Sequence, residues 1–146
     1  MKEAILEMLK QADLTSSQLK NVRKDHWNWK LNKDSNSIGF ILLHIGETLN
    51  LFGTFFGIES DVSNTTMGFK DQGQGENIQA SKDLIQLGFS NLKILAENKD
   101  DEYWKGIVST PFFGDINRFR LFSHILFHYF HHAGQISAIM SKGKGN

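Results

Sequence analysis

A chain of 146 residues is the length of one ordinary domain, long enough to bury about two-thirds of its unfolded surface in a core of its own. Sixteen Lys and Arg balance sixteen Asp and Glu with no basic block, which argues against a nucleic-acid partner, and the lack of cysteine excludes disulfides, thiolate metal sites and a cysteine nucleophile. Met1-Lys2-Glu3-Ala4-Ile5 lacks the order of a secretory signal, and no apolar run reads as the ~20 residues of a membrane span, so the expected setting is the cytoplasm.

Residues 2–22 carry Ile5, Met8, Leu9, Ala12, Leu19 and Val22 at the three-to-four spacing of one helix stripe, with a weak point around Leu14-Thr15-Ser16-Ser17. Residues 26–36 hold turn formers and two tryptophans without a period, a connecting loop. Ser37 offers a cap to a second helix bearing Ile38, Ile41, Leu42, Ile45, Leu49 and Phe52, which ends between Gly53 and Gly57. His44 and Glu47 sit in its middle. Residues 59–77 are polar, with Gly68, Gly73 and Gly75, and form a loop long enough to be functional or to cover a site. Ser81 is the expected cap of a third helix, with Leu84, Leu87, Leu92, Leu95 and Ala96 inward and Lys93, Glu97 and Lys99 in water. Past Asp101 the run from Tyr103 to Phe113 suggests an extended pair, with a turn at Phe113-Gly114-Asp115. Asn117 then caps a last helix reaching about Lys142, before the tail Gly143-Lys144-Gly145-Asn146. Nothing divides the chain, so residues 1–146 are expected to be a single helical domain.

Of six histidines and twelve phenylalanines, most lie in the last third. Positions four apart on a helix share a face, so His128 and His132 can aim both rings at one ion, and His44 is the histidine midway along another predicted helix. Three imidazoles leave coordination positions open to water or substrate. The bland reading is that core histidines merely hydrogen-bond, and spacing alone favours it. His124 and His128 are also four apart and His128 and His131 three apart, so geometry on this helix does not choose among them. Phe119, Phe127 and Phe130 lie outside the main apolar flank of Phe122, Ile125, Tyr129, Ile136 and Met140. A helix apolar nearly all round is buried on more than one side, which points to a homodimer.

Four segments resemble motifs of the DinB/YfiT-like superfamily, in the right order along nearly the whole chain. Ser37-Ile38-Gly39-Phe40-Ile41-Leu42-Leu43-His44-Ile45-Gly46-Glu47 resembles its second-helix motif, and His128-Tyr129-Phe130-His131-His132-Ala133-Gly134-Gln135 its final one. Trp27-Asn28-Trp29 stands where the family often has an Asn-Trp pair, and Thr110-Pro111-Phe112 resembles its extended segment before the last helix. Ala133 departs from the family's common Arg. The resemblance implies an all-α, up-down-down-up four-helix bundle with a long loop between helices 2 and 3, often dimeric. It also implies a divalent ion, zinc or nickel, on His44, His128 and His132, which leaves His131 and His124 as neighbours.

The family's chemistry is diverse, and fold alone does not fix a reaction. The leading expectation is a metal-dependent enzyme that binds and deprotonates a low-molecular-weight thiol and adds it to an electrophile, an S-transferase. Glu47 could orient a ligand or accept a proton, and Gln135 could hydrogen-bond beside the site; the alternative for both is an ordinary structural hydrogen bond. The rival functions are a metal-dependent hydrolase acting through activated water, and a dimeric stress-response bundle that is no enzyme.

Overall fold

The computed structural model describes residues 1–15 and 17–145. In chain order these form α1 (Lys2–Thr15), α2 (Ser17–Lys20), α3 (Ile38–Gly53), α4 (Ile78–Asn98), α5 (Asp101–Lys105), β1 (Ile107–Thr110), β2 (Gly114–Asn117) and α6 (Arg118–Lys142). The first predicted helix is matched by helical residues on both sides of Ser16, and Ser16 itself, at the weak point, lies outside the described residues, as does Asn146 of the tail. Four long helices dominate. α3 packs on α4 and α6, and α1 packs on the same two helices, so each partner is shared.

Local chemistry explains most boundaries. The Ser37 side chain accepts from the Phe40 amide at 3.3 Å, Asn77 Oδ1 from Ala80 at 3.0 Å and Asn117 Oδ1 from Arg120 at 2.7 Å, each satisfying a free helix N-terminal donor. Asn77 displaces Ser81 as the cap of α4, because the first inward residue is Ile78; Ser81 is buried one turn in. The buried row of α4 is Ile78, Ser81, Ile85, Gly88, Leu92 and Ala96, which leaves Leu87 outside it and exposed, contrary to expectation. A small residue faces inward because α3 comes so close: a Cβ on Gly88 would lie 2.6 Å from Leu49 Cβ.

α5 is a helix that the apolar pattern does not announce. Asp100 caps it at the Tyr103 amide, 2.9 Å away, and it buries Trp104 completely against Phe56 and Phe122. The expected extended pair follows as an antiparallel hairpin, Ile107 opposite Asn117 and Thr110 opposite Gly114. Its turn is 111–113 rather than 113–115. Gly114, at φ +62°, closes that turn and pairs in the strand, as three-residue hairpin loops require.

One stretch, Ile38–Phe56, is long and apolar enough by composition to cross a membrane, which corrects the sequence expectation. It is 72% buried inside the protein and carries Glu47, Thr48 and Asn50 at buried positions, the marks of a core helix. Phe119 and Phe130 pack partly against the core, whereas Phe127 remains 73% exposed.

Candidate metal centre

α3 and α6 meet along their middles, and the side chains that meet there are His44, His128 and His132. On α6 the adjoining face is anchored by Ile125, Tyr129, Ala133 and Ile136, all buried, which leaves the histidines one step round the axis, toward α3. His44 Nε2 and His132 Nε2 each lie 3.2 Å from His128 Nε2. The three ligand atoms fall within 4.8 Å of one another. Metal–imidazole bonds of about 2.0–2.1 Å separate neighbouring donors of a tetrahedron by about 3.3 Å, so this spacing suits a first-row divalent ion.

The outer nitrogens decide which way the lone pairs point. Thr66 Oγ1 donates to Glu47 Oε2 at 2.5 Å, so its oxygen accepts at 3.0 Å from His44 Nδ1, which therefore carries the proton. Gln135 Oε1 likewise accepts from His132 Nδ1 at 2.8 Å. Both Nε2 atoms are then bare acceptors aimed at His128 Nε2, which has at most one hydrogen to offer them. Three converging nitrogens with one proton between them leave lone pairs opposed, and a cation at their centre satisfies all three. The donor set fits a metal.

Burial keeps the rings neutral, as ligation demands. It pushes His44 down to about 4, with His132 adding repulsion and Glu47 pulling the other way. His128 falls to about 3, again through burial first and then its histidine neighbours. His132 is lowered by burial, against the opposing bond from Gln135.

Glu47 is 2% exposed and accepts four hydrogen bonds, from the amides of Thr65 and Thr66 at 3.0 Å each and from both hydroxyls at 2.5 Å. The loop before α4 is therefore keyed into α3 beside His44. A second anchor is Asp71, which accepts from Ser37 N at 2.7 Å and Gly73 N at 3.1 Å and pairs with Lys30 at 3.4 Å. Residues 59–77 thus form a pinned strap whose Thr66 supports a candidate ligand. Sequence reasoning missed Thr66, since a threonine in a polar loop has no periodicity. The available signal was Glu47 itself, because a carboxylate inside an apolar helix needs donors from somewhere.

The structure brings the three candidate ligands together and leaves the other two histidines of α6 out of that group. His124 packs on Phe113 with ring centroids 4.7 Å apart and on Phe52 at 5.8 Å; His131 is exposed beside His132. Gln135 lies on the outer nitrogen of His132, and Glu47 reaches that of His44 only through Thr66. Among the aromatic residues, Trp29 packs on His26 at 4.3 Å and Tyr103 donates to the Phe56 carbonyl at 3.0 Å, whereas Phe55 joins Phe52 and Phe112 near the site. A groove of about 1260 Å³ lies elsewhere, between α1 and α4 around Leu6, Leu9, Ile85 and Phe89. It holds no histidine, and donor chemistry rather than size marks the site.

No curated protein matches the chain. The family model of the DinB superfamily matches residues 7–136, a span that includes every residue of the histidine trio and its supports. With that match over most of its length, the chain belongs to the DinB superfamily.

Proposed function

We propose that the protein is a metal-dependent enzyme that activates a low-molecular-weight thiol and adds it to an electrophile. The observation that carries this reading is the convergence of three neutral Nε2 atoms, two of them fixed as acceptors by bonds on the far side of the ring. A divalent ion, zinc or nickel, bound there would lower the pKa of a coordinated thiol. The chain has no cysteine, so the thiol comes from outside.

The roles of the protein groups follow from their positions. His44, His128 and His132 hold the ion. Thr66 accepts from His44 and passes that bond to Glu47, and Gln135 accepts from His132, so both fix tautomer and ring angle. Glu47 already accepts from four donors and is a positioning residue. Three protein ligands, with His124 engaged by Phe113 and Phe52, leave coordination open for substrate.

The same reading takes residues 1–146 as a single cytoplasmic domain, with α1, α3, α4 and α6 in the family's up-down-down-up order. It adds a homodimer that covers exposed Phe127. Light scattering that gave a monomer at micromolar concentration would remove the dimer. The activity test uses metal-loaded protein, a common cellular thiol and a model electrophile. Conversion that depends on metal and disappears in His132→Ala is expected; conversion unchanged in that variant contradicts the reading.

A further inference from the structure

The metal site accounts for the histidines but not for the phenylalanines beside them. Among the described residues, the trio's ring contacts beyond its own members are with His131, His124 and Phe52. Phe52, two turns after His44 on α3, meets His128 edge-on at 6.2 Å. From Phe52 the aromatic contacts run outward: Phe112 at 5.6 Å, Phe55 at 6.4 Å, then Phe112 to Phe113 at 6.0 Å.

The outer members of this row sit in an unusual place. Phe112 and Phe113 occupy the hairpin turn, 56% and 36% exposed. A three-residue turn needs its glycine and the Thr110 hydroxyl, which accepts from the Phe113 amide at 3.0 Å; it does not need two aromatic rings in water. Ring contacts that are edge-to-face except for the tilted Phe52–Phe55 pair hold these rings as a shelf that starts at a candidate ligand and ends at solvent. Thr66 occupies the space behind His44 and Gln135 the space behind His132, and on the His128 side the shelf adjoins the site, with His124 packed on Phe52 and Phe113.

We infer that Phe52, Phe55, Phe112 and Phe113 form the subsite for an aryl or bulky apolar group carried by a thiol whose sulfur reaches the histidine trio. This inference rests on the metal reading above and names the class of thiol. Flat apolar walls beside a few placed polar atoms are how small-ligand sites select an apolar substituent.

The test loads the full chain with Co²⁺ and follows its visible absorption while phenylmethanethiol or ethanethiol is added. The quantity read is the ratio of the two affinities, which cancels changes in the metal site itself. Replacing Phe112 and Phe113 together by Ala is expected to lower that ratio about tenfold relative to the parent, with Co²⁺ affinity unchanged. Phe112→Leu, which keeps an apolar side chain but loses the flat ring, is expected to fall between and guards against misfolding of the double variant. A cobalt spectrum with the same ratio in parent and variants, or with no response to either thiol, overturns the subsite. Failure to form the cobalt spectrum overturns the metal reading and the subsite with it.

Discussion

His44 and His132 face the same point but are supported in different ways. Behind His44 stand Thr66, 3% exposed, and Glu47, a relay that joins a helix to a loop residue 19 positions after Glu47 and is sealed from water. Behind His132 stands Gln135, exposed and three residues on along the same helix. A buried hydrogen bond has no substitute when a partner is lost, whereas water replaces an exposed one. The two supports look equivalent as distances, 3.0 and 2.8 Å, but they should not be equivalent in energy.

Glu47→Ala is expected to break the comparison most severely. It strands the amide and hydroxyl of buried Thr66, frees those of exposed Thr65 to water and releases the strap, so urea unfolding should show a loss of about 2–4 kcal/mol. A loss under about 0.5 kcal/mol would mean that water enters freely. Thr66→Val is next: it keeps the volume but removes the acceptor for His44 Nδ1, and metal affinity measured by competition with a chelator should fall about 10–100-fold. Thr66→Ser should restore most of it, an outcome that simple packing loss would not give. Gln135→Ala should weaken metal binding by about threefold or less, because solvent takes over the role of its oxygen. An effect as large as that of Thr66→Val would erase the contrast.

The pH dependence of the metal-free protein sharpens the same point. Burial holds His44 near 4 and His128 near 3, whereas an unfolded imidazole titrates near 6.5. Between those values the unfolded chain binds more protons, so stability is complete above about pH 6.5 and declines as pH falls toward 4. Melting temperature should drop over that window, and His44→Gln should flatten part of the drop. A melting temperature that rises on acidification would contradict the neutral, buried assignment.

Much of the fold is legible in the order of the amino acids, and the reasons are local. Ser37 and Asn117 announce helix starts because a cap is a short-range contact, and α3 and α6 show their inward faces by period. α5 is hidden because five residues are too short for a period, although Asp100 with acidic Asp101 and Glu102 is a start signal. Leu87 misleads because Gly88 and Ser81 occupy the inward row of α4, and close packing there favours small residues over apolar ones. For the site, spacing leaves His124 level with His132; only the ordered motifs separate them, and the structure places His124 against Phe113. Thr66 is illegible in the sequence because its partners come from a loop and a helix whose meeting is a tertiary event.

Metal content of the purified chain, measured by plasma mass spectrometry beside His44→Ala and His128→Ala, tests the central claim most directly. The expected result is one divalent ion per chain in the parent protein and loss of it in both variants, each still helical by circular dichroism. Folded variants that keep the ion at the parent level would show that the three histidines do not hold it.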